Sequence, residues 1–149
     1  MRLKLYLETS VISAYFDSRT PERQAQTKRF WPLLKDYEIV TSQVVRDELS
    51  RMKDANLKKQ ALALIEDLQI IQEPQDAKDL AQTYVNRGIF PEKYYDDAYH
   101  LAIATLSSCN ILVSWNFAHL VKRKTRIEAN LVNSSQGYPT IDIIAPPEL

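Results

Sequence analysis

Apolar residues in this chain fall into short runs separated by longer stretches of helical periodicity. LKLYL at 3–7 alternates Leu3, Leu5 and Leu7 with Lys4 and Tyr6, as a strand does, and Glu8, Thr9 and Ser10 then lead into a helix-like SVISAYF. A second helix opens near Pro21 and Glu22 and is kinked by Pro32 ahead of Leu33 and Leu34. YEIVT at 37–41 reads as the second strand, with Ser42 as N-cap of a helix to about Met52. Leu57, Ala61, Leu62, Leu64, Ile65 and Leu68 share one helical face, followed by a short strand at 68–72. Ala77, Leu80, Ala81, Tyr84 and Val85 repeat at helical spacing, and Gly88 stands where a helix C-terminus accepts a positive φ. Pro91 opens another helix through YYDDAYHLAIATL to about Ser107. The apolar run ILVSW at 111–115, a broken helix over 117–136 and TIDII at 140–144 complete the chain.

Apolar strands separated by helices predict an α/β fold, a three-layer α/β/α sandwich with a mostly parallel sheet of about five strands. No linker, repeat or low-complexity segment interrupts the pattern, so residues 1–149 read as a single domain.

Composition narrows the chemistry. With 149 residues of which 45% are hydrophobic, the chain can bury a sufficient core without disulfides or structural zinc. Its 19 basic and 19 acidic residues cancel, so a polyanionic partner has to be met by a local patch. The single cysteine, Cys109, excludes an internal disulfide and CxxC zinc sites and fits the reducing cytoplasm. No apolar stretch is long enough to predict a secretory leader or a membrane span. The two glycines, Gly88 and Gly137, are too few for a dinucleotide fingerprint or a P-loop, and no GxSxG elbow is present. Chemistry is left to carboxylates.

Parallel sheets bind ligands beyond the carboxyl ends of their strands, which draws attention to Glu8 after the first strand and to Ser114, Trp115 and Asn116 at the end of the fourth. On a helical wheel Glu48 lies within the stripe formed by Val44, Val45, Leu49 and Met52, and Asp97 borders the apolar face of its helix. A carboxylate facing a core needs compensation. Each alone reads equally well as half of a buried ion pair with Lys or Arg; three converging on one crevice suit a hard cation. Asp96 points away and reads as a solvated residue pairing with His100. His100 and His119 read as structural, since neither has a partner at zinc-ligand spacing.

The blocks LYLETSVIS (5–13), TSQVVRDELSR (41–51), YYDDAYHLAIATLSSCNILVSWNF (94–117) and the closing GYPTIDIIAPPE, in this order and separation, resemble the PIN domain family over essentially the whole chain. That resemblance implies strand order 3-2-1-4-5 and a Mg²⁺- or Mn²⁺-dependent ribonuclease, like the toxin of a toxin–antitoxin pair, acting on RNA, met by an antitoxin protein and commonly a homodimer. Carried over by position, the family's four acids fall on Glu8, Glu48, Asp97 and Asn116, as catalytic and metal-holding residues. Two positions depart from the family's Asp: Glu8 adds a methylene and Asn116 keeps an oxygen but loses a charge.

Ser114 and Asp96 support this site, as do Thr9 and Ser10, which either orient Glu8 or a bound water or cap the helix that follows. Arg46, Arg51 and Lys93 flank the acids and Lys122, Arg123, Lys124 and Arg126 follow Asn116; they read as phosphate contacts or, for the VKRKTR run, as a solvated helix. The alternative to an enzyme is a catalytically degenerate module that binds RNA or protein.

Overall fold

The computed structural model describes residues 2–149. Five parallel strands form one sheet: β1 (Lys4–Leu7), β2 (Glu38–Ser42), β3 (Gln69–Ile71), β4 (Ile111–Val113) and β5 (Asp142–Ile144), in the order β3-β2-β1-β4-β5. Both the parallel sheet and the order 3-2-1-4-5 match the expectation. Helices α1 (Thr9–Ala14), α2 (Pro21–Phe30), α3 (Gln43–Ser50) and α4 (Ala55–Ile65) pack among themselves, as do α5 (Ala77–Asn86), α6 (Tyr95–Leu106) and α7 (Arg123–Ser135). The strand order reverses at β1 and β4, so right-handed crossovers place these two sets on opposite faces of the sheet. No helix of the described residues is long and apolar enough to cross a membrane.

Burial on both faces overrides the alternation seen in the first strand. Leu5, Tyr6 and Leu7 are all fully buried, while Leu3, which shares the apolar phase, lies before the strand and is exposed. Pro32 does more than kink α2. Lacking an N–H, and with a ring that clashes with the carbonyl four residues back, it ends the helix, and Trp31–Asp36 continue as a tighter 3₁₀ turn. Similarly, Pro91 precedes a 3₁₀ turn over Glu92–Tyr94 and α6 starts only at Tyr95. Gly88 ends α5 as expected: its φ is +79°, its N–H reaches the Val85 carbonyl and the Ile89 N–H reaches that of Tyr84, the paired bonds of a Schellman cap. The fourth strand stops at Val113, two residues short of the end of the apolar run, and after a last bond from the Ser114 N–H to the Ile144 carbonyl of β5 (2.9 Å) the chain leaves the sheet. That early exit positions the site.

Candidate active site

The crevice lies where the strand order reverses, beyond the carboxyl ends of β1 and β4, and two serines tie those ends together. Ser10 donates to Glu8 Oε1 (2.5 Å) and accepts the Trp115 N–H (2.9 Å). Ser114 donates to the same oxygen (2.6 Å) and accepts the Asn116 N–H (2.9 Å). Trp115 is pinned in turn by its indole N–H, which donates to Thr27 on α2 (2.9 Å). Glu8 is therefore only 6% exposed yet charge-compensated by hydroxyls, without the Lys or Arg that a buried carboxylate ordinarily requires.

Glu48 sits in the last turn of α3, and its Oε1 accepts the Thr9 hydroxyl (2.7 Å) and the His100 Nε2–H (2.6 Å). The expected Lys or Arg partner is replaced by histidine. Thr9 and Ser10 thus hold carboxylates, and neither caps α1, whose N-cap, Glu8, makes no side-chain cap bond. Ser42 does cap α3, accepting the Val45 N–H at 3.2 Å, as its position suggested. His100 departs from the sequence expectation: it faces inward to Glu48 and to Tyr6, whose hydroxyl lies 2.7 Å from Nδ1, while Asp96, one turn earlier on α6, is exposed and does not pair with it. Asp96 instead joins Glu48, Asp47, Glu73 and Arg51 in lining a cleft of about 410 Å³.

Burial raises the pKa of Asp97, and the nearby Glu8 charge raises it further; the Asn116 side chain and the charges of His100 and His119 pull the other way and are outweighed. For His100, burial alone would lower the pKa, but the bond to Glu48 and the charges of Glu8, Glu48 and Asp97 raise it above the ordinary 6.5. Burial would raise Glu48, yet His100 and then Thr9 hold it below its ordinary 4.5.

The sign of each shift defines a pH window. A raised histidine contributes stability that is complete below pH 6.5 and lost as pH rises through its folded value, and a lowered carboxylate contributes stability that is complete above pH 4.5 and lost as pH falls through its own. The gap in melting temperature between the wild type and His100→Gln, measured in chelator, should be widest between about pH 4.5 and 6.5 and narrow on either side. A gap independent of pH would contradict the pairing.

Asn116 is brought to the same edge, but its Oδ1 accepts the His119 N–H at 2.9 Å, so the side chain caps the turn after the crevice. His119 stacks on Tyr94 at 3.9 Å between ring centroids. Of the basic residues, Arg126 pairs with Glu148 (3.6 Å) and Lys124 with Glu128 (3.9 Å), whereas Arg123 is exposed at the start of α7 and Lys122 is its N-cap. Arg46 reaches Gln43 (3.3 Å), Lys93 lies over the Tyr94 ring, and Arg51 stands close enough to Glu48 to help lower its pKa.

Among the described residues, no three of the acids, histidines or cysteine stand close enough to make a ready-formed metal cage. The donor chemistry nevertheless fits a hard cation. Every candidate ligand offers oxygen, and Glu8 and Glu48 each commit Oε1 to two hydrogen bonds while Oε2 has no hydrogen-bond donor among the described residues.

The residues that sequence reading undervalued are Tyr6 and His100. The signal for both was a polar side chain inside an otherwise apolar strand or helix face, and i, i+3 spacing sets His100 one turn from Asp97.

VapC20 of Mycobacterium tuberculosis, a sarcin–ricin-loop-cleaving toxin, superposes with a TM-score of 0.60 at 17% identity, over 92% of this chain and 98% of that one. VapBC2 of Rickettsia felis, solved on a DNA fragment from its promoter, gives 0.58 at 13% identity over 96% and 98%. VapBC-1 of nontypeable Haemophilus influenzae gives 0.59 at 12% identity over 97% and 99%. At such identities these likenesses speak to the fold. No curated protein sequence matches the chain. The sequence model of the PIN domain matches residues 5–116, a span that takes in Glu8, Glu48, Asp97 and Asn116, and the chain belongs to the PIN domain family.

Proposed function

We propose that this chain is a Mg²⁺- or Mn²⁺-dependent endoribonuclease that acts as the cytoplasmic toxin of a toxin–antitoxin pair. The observation that carries the reading is the pair of glutamates at the sheet edge, each fixed through one oxygen with the other left for a ligand, beside an Asp97 whose charge burial and Glu8 disfavour. Glu8, Glu48 and Asp97 would hold the cation, with Asn116 as a neutral oxygen donor. When bound, the ion supplies Lewis acidity at a phosphoryl oxygen and an acidified water. The chain's own residues do the rest: Thr9, Ser10, Ser114 and His100 orient the carboxylates, and Asp96 adds negative charge at the mouth of the Glu48 cleft. Lys122, Arg123, Lys124 and Arg126 on one side and Arg46, Arg51 and Lys93 on the other take RNA phosphates. Lys124 and Arg126 have to exchange Glu128 and Glu148 for that contact, so Lys122 and Arg123 are the stronger candidates.

Calorimetric titration with Mn²⁺, paired with cleavage of unstructured single-stranded RNA, tests this directly. Wild type should bind and cleave, and Glu48→Gln should lose both. The use of Asn116 Oδ1 as a turn cap favours the second reading, a degenerate binding module, for which RNA would be retained but not cut in any divalent cation.

The toxin reading includes an antitoxin partner and a homodimer. Ile127 and Leu131, one turn apart on α7, are 54% and 65% exposed and form an apolar pair on one helix face for a second chain to cover. Light scattering at micromolar concentration should give twice the 17.2 kDa chain mass; the monomer mass would reject the dimer.

A further inference from the structure

The histidine that meets Glu48 is the middle of a longer chain of hydrogen bonds. Its Nδ1 lies 2.7 Å from the Tyr6 hydroxyl, which lies 2.7 Å from Ser42 Oγ, and Ser42 accepts the Val45 N–H at the start of α3. Since α3 also carries Glu48, the path returns to its origin: helix start, serine, tyrosine, histidine, glutamate, helix. Tyr6, Ser42 and His100 are each no more than 1% exposed, so water does not compete for these bonds. With the proton of the neutral ring on Nε2, every polar atom is satisfied in one direction: Ser42 donates to Tyr6, Tyr6 to Nδ1, and Nε2–H to Glu48.

We infer that His100, backed by Tyr6 and Ser42, is the positioning residue for Glu48, fixing Oε1 together with Thr9 so that Oε2 is presented to the cation. The role rests on the metal-site reading proposed above. One helix then sets two of the three acids, because α6 delivers Asp97 directly and holds Glu48 through His100, one turn on. Tyr6 on Nδ1 and Glu48 on Nε2 fix the imidazole from both ends, so the ring cannot turn Nε2–H away from Oε1 without losing the Tyr6 bond as well.

The test compares Mn²⁺ affinity, by calorimetry, in wild type, Tyr6→Phe, His100→Leu and His100→Gln, with melting curves in chelator to establish folding. Tyr6→Phe removes one oxygen and keeps the ring in place, so it remains informative if His100→Leu fails to fold. Loss of an outer partner of a ligand costs roughly 10- to 100-fold in metal affinity. His100→Leu should fall in that range, Tyr6→Phe toward its lower end, and His100→Gln, which retains an N–H donor, should recover part of the loss. Folded Tyr6→Phe and His100→Leu chains that bind Mn²⁺ as wild type does would overturn the positioning role and leave the metal site standing. A wild-type chain that binds no Mn²⁺ would overturn the metal site and this role with it.

Discussion

Asp97→Asn should make the protein more stable in chelator and blind to divalent cations. Asp97 carries a raised carboxyl pKa because burial and the Glu8 charge both disfavour its ionised form. A folded value above the unfolded one means that the native state holds the proton more tightly, so stability declines as pH rises from the ordinary 3.8 through the raised value and stays reduced above it. At neutral pH the wild type bears that cost and the neutral amide does not. The melting temperature in chelator should rise by roughly 2–4 °C for each kcal/mol of strain relieved in a domain of this size. A cation that meets the wild-type acids reverses the balance. At a hundred times its dissociation constant, Mn²⁺ adds about 2.7 kcal/mol, roughly 5–10 °C of melting temperature. The variant should show none of that gain and no RNA cleavage. An Asp97→Asn chain that melts lower than wild type in chelator would refute the electrostatic account, and one that keeps the Mn²⁺ shift would remove Asp97 from the site.

Asn116→Asp should tighten Mn²⁺ binding and start or raise cleavage of single-stranded RNA. The substitution keeps an oxygen to accept the His119 N–H, so the turn after β4 is preserved, and it adds a negative charge facing Asp97. With a cation present that charge is attractive; a gain of even 1.4 kcal/mol would be tenfold in affinity. In chelator it is repulsive, so the melting temperature should drop and the Asp97 carboxyl should move further up. The opposite signs of the two effects make the result specific. Asn116→Ala loses both the cap and the oxygen and should weaken binding. If Asp and Ala at 116 both leave affinity untouched, the side chain serves the turn and lies outside any coordination sphere.

Glu48 and Asp97 stood out because a carboxylate amid Val44, Val45 and Leu49, or beside Ala98 and Leu101, breaks a helical period, and periodicity is a local property. Glu8, Ser114 and Asn116 were found through their place at strand ends, which follows from the rule that open parallel sheets bind at their carboxyl edge. Element limits were less legible. Pro32 and Pro91 shortened two helices into 3₁₀ turns, and β4 ended at Val113 although the Ser114 N–H still reaches the Ile144 carbonyl of β5, a limit that no pattern of apolar residues marks.

What the order of residues determined by itself was the alternation of strands and helices, the two-sided burial of the sheet and the identity of the acids, all of which depend on spacing within a few turns of chain. What the tertiary structure alone decided was who holds them. His100 had a local candidate partner in Asp96 at i−4 and instead bonds Glu48, 52 residues away, and Tyr6, 94 residues away. Ser10 and Ser114, 104 positions apart, meet on one oxygen of Glu8. Such pairings follow from the parallel register of β1 with β2 and β4, which brings the ends of distant segments together; a buried carboxylate then takes whichever donors the fold delivers, because leaving it unpaired costs more than any local preference returns.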